Sequence, residues 1–301
     1  MISIIICSRG VEFRAAVTEN IASTIGMPYE IIAIDNSKNE YGICAAYNKG
    51  ASKSSYDILC FAHEDIEFRA QNWGGIVARI LADESIGALG ATGGKWLIDA
   101  PGTWWSCGNK FLSSNIIDVF PDKQYSKHTY SNPEGKSLVD VAAVDGLWIC
   151  VRKSVWQEFP FDEKLFDGFH FYDVDFCANM FHKYRICVTM EITIAHSSRG
   201  NFNNLWYTYA HIFYRKHKHH LPIGTPQLAP KDVVEQEYNW SKYFIHAIIS
   251  RKLPIKLGFG YLVKCLKLAP FRRDTFWLIR HYLKFVWQSK RNSANRSTLD
   301  F

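Results

Sequence analysis

The sequence predicts an α/β protein: a mostly parallel central sheet flanked by helices, then a basic helical extension at the C-terminal end. Three observations predict it. Short β-branched runs alternate with helix-compatible stretches over the first 65 residues, the pattern of right-handed βαβ units. Polar and charged residues follow each of those runs. Charge also divides along the chain: 18 Lys and Arg stand against 24 Asp and Glu over residues 1–204, and 17 against 5 over residues 205–301. With 48% hydrophobic and 21% charged residues in 301, a large core can be buried, which excludes wholesale disorder.

The elements follow in order. Residues 2–7 are a β-branched run of the kind buried on both faces of a parallel sheet. Phe13, Val17, Ile21 and Ile25 recur at four-residue steps and predict a helix over 11–25. A second strand at 30–34 ends at Asp35-Asn36-Ser37, a helix covers 43–52, and a third strand covers 57–62. Residues 87–140 are rich in Gly, Trp and polar residues and predict loops and short strands. An apolar segment at 139–151 is interrupted by Asp145-Gly146; a helix over 173–184 and a strand over 186–195 follow. None of the eight cysteines forms a CxxC pair, which argues against a zinc ribbon, and several sit in apolar runs as small hydrophobes would. All are expected free, as in a reducing compartment. With no basic leader and no apolar run near ~20 residues, the expectation is a cytoplasmic protein, docked on the inner face of the cell membrane if its tail binds lipid.

Ligands bind beyond the carboxyl ends of strands in such sheets, so the residues after each strand carry the chemistry. Phe61-Ala62-His63-Glu64-Asp65 follows the third strand. In extended geometry His63 and Asp65 share one face and Glu64 takes the other. An imidazole beside a carboxylate can hold Mn²⁺ or Mg²⁺; a solvated acidic turn is the plainer reading. A second cluster, Tyr172-Asp173-Val174-Asp175, opens a helix. There Asp173 suits an N-cap as well as a site, and residues two apart on a helix do not share a face. A third, Ala195-His196-Ser197-Ser198-Arg199, ends another strand.

Taken together these segments resemble the GT-A type glycosyltransferases, close to family 2, in the branch with F-x-H-x-D in place of D-x-D. The matching stretches are SIIICSR at 3–9, IIAIDNS at 31–37, AYNKGASKSSYDILCFAHEDIEF at 46–68, VDGLWICVRKSVW at 144–156, FDEKLFDGFHFYDVDFC at 161–177 and AHSS at 195–198. The resemblance implies a GT-A domain over residues 1–220 and an extension over 221–301. It implies that Asp35, with Ser8 and Arg9, contacts the nucleotide of a nucleotide-sugar donor, and that Asn48 supports that pocket. It implies that Asp65 and His63 hold the metal, that His196 is a further metal or diphosphate contact, and that Asp145 contacts a sugar. Asp173 matches the catalytic base, with Tyr172 standing where many relatives have Glu. The implied reaction is metal-dependent, inverting transfer from a UDP-sugar to a glycan or lipid-linked glycan in surface-polysaccharide assembly. The chemistry agrees: a divalent cation offsets the charge growing on a diphosphate leaving group, and a carboxylate takes the proton of the attacking hydroxyl.

Trp104 and Trp105, in a loop-rich stretch, are candidate acceptor contacts together with Asp175, because sugar faces stack on aromatic rings; loop packing accounts for the two tryptophans equally well. In the extension, Lys256, Lys264 and Lys267 form one basic face over 253–269. Arg280, Lys284 and Arg291 form another, with Phe276, Ile279, Tyr282, Leu283, Val286 and Trp287 expected on the opposite half and Trp277 as the exception. Such helices suit an anionic membrane surface, or packing on the catalytic domain or on a second subunit in a homo-oligomer. No motif for reading nucleic acid accompanies the basic charge. Two other readings compete: a nucleotidyltransferase, against which the single glycine of Cys7-Ser8-Arg9-Gly10 counts, and a non-catalytic nucleotide- or glycan-binding protein of the same fold.

Overall fold

The computed structural model describes residues 1–297 apart from 121, 123, 198, 199, 201 and 225–228. In chain order its first half comprises β1 (Ile2–Ser8), α1 (Val11–Thr24), β2 (Tyr29–Asp35), α2 (Ile43–Ser52), β3 (Ile58–Ala62), β4 (Ile66–Phe68), α3 (Trp73–Leu81), β5 (Ile86–Gly90), β6 (Thr92–Gly94) and β7 (Trp96–Leu97). Then follow β8 (Leu112–Phe120), β9 (Tyr125–Ser131), β10 (Leu138–Val141), β11 (Ala143–Val144), β12 (Trp148–Arg152), α4 (Lys153–Glu158), α5 (Tyr172–Met180), β13 (Arg185–Thr189) and β14 (Ile194–His196). The chain continues through α6 (Asn204–His217), β15 (Ile223–Gly224), α7 (Pro230–Ser250), α8 (Phe259–Leu268) and α9 (Arg273–Ser297).

Seven strands form the main sheet in the order β10-β13-β5-β12-β3-β1-β2. The βαβαβ start is there: β1 pairs in parallel with both β2 and β3. The sheet is mixed, however, because β12 enters between β3 and β5 antiparallel to both, and β10 runs antiparallel to β13. The Asp145–Leu147 turn leads the chain from β11 of the second sheet into β12, and the direction of β12 is set by its pairing with the distant β3 and β5. A second sheet, β11-β6-β8-β14-β4 with β9 on β8, lies beside the first. The strand expected over 186–195 is split between the two sheets as β13 and β14, and the helix expected to reach 184 ends at Met180.

The β3–β12 register sets Cys60 opposite Cys150, and these two form a disulfide. The expectation that every cysteine is free is corrected for this pair. The other six are free and, Cys7 apart, buried.

The extension shares the main core. One cluster of buried side chains runs from Phe61 and Phe176 through Phe213 of α6 to Tyr238 and Phe244 of α7, Leu262 of α8 and Leu278 of α9. Lys264 does not belong to an exposed basic face: it turns inward to ion pairs with Asp99 at 2.5 Å and Glu237 at 3.1 Å. Lys256 and Lys267 stay exposed. No helix among the described residues is long and apolar enough to cross a membrane.

Candidate active site

Three chain segments meet at the carboxyl end of β3. Strand pairing brings them there. β4 and β14 run antiparallel with Ile66 opposite His196, and Ser197 N–H donates to Asp65 O at 3.0 Å. His196 is thereby set beside Asp65. On the other side of β3, Trp148 of β12 faces Ala62, and His63 N–H donates to Leu147 O at 3.0 Å. This places the Asp145-Gly146 turn next to His63. Ser198 and Arg199 of the third motif lie outside the described residues.

One ligand atom from each of His63, Asp65 and His196 lies within 4.8 Å of the other two. His63 Nδ1 is 3.8 Å from Asp65 Oδ1, and His196 Nε2 is 3.5 Å from the same oxygen. Those separations exceed an ordinary hydrogen bond and suit three donors arranged around a common cation. Burial pushes the His63 imidazole below its ordinary pKa, which favours the neutral form that ligates metals. At His196 burial acts in the same downward sense, but the Asp65 carboxylate outweighs it and the net shift is upward.

A hydrogen-bond chain orients His63. Tyr172, buried, donates its hydroxyl proton to Gly146 O at 2.9 Å, and its oxygen lies 2.7 Å from His63 Nε2. With that proton committed, the tyrosine oxygen accepts from Nε2–H. Nδ1 is left with its lone pair towards Asp65. Gly146 permits the contact: a Cβ there would lie 2.1 Å from the tyrosine oxygen. The chain enters α5 through Phe171, which holds a left-handed φ of 66°. The residues present therefore fit a divalent cation, and two imidazoles with one carboxylate suit Mn²⁺ better than Mg²⁺, which prefers an all-oxygen shell.

Glu64 points away from the triad, although residues 63–65 connect β3 and β4 through a turn and do not form the extended strand expected. It accepts from Ser8 Oγ at 2.8 Å and from Arg9 N–H at 3.0 Å, and so fixes the turn after β1 beside the site. Asp173 is not the N-cap, which is Phe171. Its carboxylate accepts from Gly146 N–H at 3.1 Å and Val174 N–H at 2.9 Å. Burial, then the neighbouring Asp145 charge, push its pKa up to about 7. Asp145 in turn accepts from Leu147 N–H at 2.8 Å and from the Trp104 indole at 3.0 Å. The Asp145–Leu147 turn thus ties metal triad, carboxylate and tryptophan into one framework.

Not every expected residue converges there. Asp35 ends β2 on the surface, where hydrogen bonds from Ser37 hold its carboxyl below the usual range. Asn48 is engaged in structure: it accepts from the Trp156 indole and Phe161 N–H and donates to Phe161 O. Its neighbourhood is a separate cavity of about 510 Å³ that reaches Lys216. Asp175 lies in a separate ion cluster. It is 1% exposed and bonded to Lys216 Nζ at 2.8 Å and His217 Nε2 at 2.7 Å. Trp105 packs edge-on against Trp240, with its ring centroid 6.4 Å from Trp206. Sequence reasoning passed over the role of Glu64, and noticed Tyr172 only as a departure from the pattern.

Residues 3–218 match the glycosyltransferase-like family, and the chain belongs to it. No curated protein matches the sequence. Among solved structures, GalNAc-T7 with UDP, GalNAc and Mn²⁺ superposes with a TM-score of 0.50 at 14% identity. The alignment covers 83% of this chain and only 58% of that one. The mannosyltransferase PcManGT of Pyrobaculum calidifontis, with GDP-Man and Mn²⁺, aligns over 95% of this chain and 87% of its own at 11% identity and a TM-score of 0.49. S. aureus TarS 1–349 with UDP-GlcNAc aligns over 94% and 91% at 10% identity and 0.46. The first of these likenesses fixes the fold as GT-A.

Proposed function

We propose that this protein transfers a glycosyl group from a nucleoside-diphosphate sugar to a hydroxyl of a glycan acceptor, with inversion at the anomeric carbon. The observation that carries the reading is the convergence of His63, Asp65 and His196 within 4.8 Å, with His63 bonded to the same Asp145–Leu147 turn that binds Asp173. Family membership supports it.

The triad would hold Mn²⁺, which when bound offsets the charge developing on the diphosphate. The remaining work falls to the chain. Tyr172 and Gly146 fix the His63 ring, and Glu64 fixes the Ser8-Arg9 turn and pairs with Arg9 Nε at 3.4 Å, leaving the exposed end of the Arg9 guanidinium to face a phosphate. Asp173 takes the proton of the acceptor hydroxyl as its oxygen bonds to the anomeric carbon. The bond from that carbon to the phosphate oxygen breaks, and its electron pair leaves with the nucleoside diphosphate. A carboxylate poised near pH 7 is matched to this role. Trp104, held by Asp145, is the acceptor-side aromatic, and Asp35 at the end of β2 is the candidate nucleotide contact.

UDP-sugars are the donors to test first, because GalNAc-T7 carries UDP on the same fold; a lipid-linked acceptor of surface-polysaccharide assembly is the corresponding acceptor class. Nucleotide-sugars are screened by thermal shift with and without Mn²⁺, and the hits are assayed for sugar transfer. A donor that raises stability only with Mn²⁺ and then turns over supports the proposal. Binding without transfer to any acceptor or to water would indicate a non-catalytic binding protein.

A further inference from the structure

The C-terminal helix α9 presents two unlike faces. Its inward line, Thr275, Leu278 and Tyr282, is buried, with Thr275 bonded to Tyr238 and Tyr282 to Ile255 O. The opposite line is exposed and mixed. Phe276, Trp277, Leu283 and Trp287 are 59%, 43%, 59% and 60% exposed, and Arg280, Lys284 and Arg291 are exposed among them. At 100° per residue these seven side chains fall within an arc of about 120°. The sequence pattern had set the cations opposite the apolar residues. That expectation is corrected: helical periodicity itself interleaves Phe276, Leu283 and Trp287 with the cations, while Tyr282 turns inward.

The charge on this stripe has one sign. No acidic residue occurs between 275 and 297, and Asp274, at the start of the helix, pairs with Lys242 at 2.6 Å. Two other basic residues of the extension are neutralised, Lys264 by Asp99 and Glu237 and Arg272 by Glu235. Arg280 and Lys284 have no ion-pair partner among the described residues, and Arg291 lies 5.4 Å from the centre of the Trp287 ring. Four large apolar side chains along one exposed stripe are costly in water. Indoles and apolar side chains at headgroup depth, with long cationic side chains reaching the phosphates, match an anionic bilayer interface.

We infer that the exposed face of α9 docks this protein on an anionic lipid surface. The stripe lies beyond residue 218, outside the stretch matched by the family, so the inference does not depend on the proposed sugar transfer. The test is co-sedimentation of the full chain with phosphatidylcholine vesicles, with and without phosphatidylglycerol, across a salt series. Binding should appear with phosphatidylglycerol and weaken as salt rises. Arg280→Gln with Lys284→Gln should cut partitioning about 30-fold, from the usual contribution per cation. Trp287→Ala should weaken it while keeping the salt dependence. Unchanged melting temperatures show that the variants are folded. Equal binding to neutral vesicles, or none to anionic ones, overturns the inference. So does a dimer in solution that Trp287→Ala dissociates, in a protein that does not sediment with vesicles.

Discussion

Two clusters of the same ingredients, carboxylate beside histidine, sit on opposite sides of α5. Around Asp65, two imidazoles approach to 3.5 and 3.8 Å and the side chains keep 14–16% of their surface open. Around Asp175, His217 and Lys216 close to 2.7 and 2.8 Å, Lys216 also reaches Asp162 at 2.9 Å, and Asp175 is 1% exposed. The Asp175 cluster closes at hydrogen-bond distance; in the other, one donor atom from each of His63, Asp65 and His196 stands within 4.8 Å of the other two. Spacing in the sequence does not separate the two, because Asp173 and Asp175 are two residues apart and only the first faces the site. A candidate ligand site is marked here by convergence of metal-binding side chains from separate strands, and a structural ion cluster by short contacts and full burial.

The largest expected effect separates those two aspartates. Asp173→Asn should lower kcat by about 10²–10⁴-fold, the usual contribution of a general base, with donor binding retained. Asp175→Asn should instead destabilise the fold by about 3 kcal/mol, as breaking a buried ion pair does, and leave kcat of the folded fraction near wild type. Denaturant unfolding beside steady-state kinetics checks both, and a reversal of the two phenotypes would exchange their roles.

A smaller effect is expected one step outside the triad. Tyr172→Phe keeps the ring against Tyr47 and Phe161 but removes the hydroxyl that sets the His63 tautomer. Mn²⁺ affinity should fall about 10–100-fold, the usual cost of losing such a supporting partner, with little change in melting temperature. Calorimetric Mn²⁺ titration reads this, and an unchanged affinity would show that the tyrosine only packs.

The gentlest test is pH. Asp173 titrates at about 7 in the folded protein, above the ~3.9 of an unfolded aspartate. Turnover should therefore rise with pH through about 7 and level off above it. For stability the sign is opposite to that of an ion-paired carboxylate: the folded state holds the proton more tightly, so stability declines from about pH 4 to 7 and is flat beyond. Asp173→Asn removes that decline, and should melt higher than wild type at pH 8 but close to it at pH 4.

Much of this was legible in order along the chain. The strands that deliver Ser8, Asp35 and His63 announced themselves by β-branched runs; the pairing of His63 with Asp65 was expected from an extended segment, whereas a turn at 64–65 and the pairing of β4 with β14 set it. What was not legible depended on pairing between distant segments. Nothing local in residues 148–152 says that β12 runs antiparallel or that Cys150 meets Cys60. Asn48 and Asp175 have site-like neighbours in sequence, yet Asn48 ties α2 to the 156–161 segment and Asp175 binds Lys216 and His217 from α6. Trp105 is absorbed by an aromatic cluster from α6 and α7. Periodicity marked the helices of the extension, but only packing showed that Lys264 faces inward.

The most direct measurement is a Mn²⁺ titration followed by electron paramagnetic resonance with UDP present, on wild type, Asp65→Asn and Asp175→Asn. One bound Mn²⁺ per chain is expected for wild type and for folded Asp175→Asn, and none at comparable concentrations for Asp65→Asn. Saturable Mn²⁺ binding that survives Asp65→Asn unchanged would contradict the assignment of His63, Asp65 and His196 as the metal site.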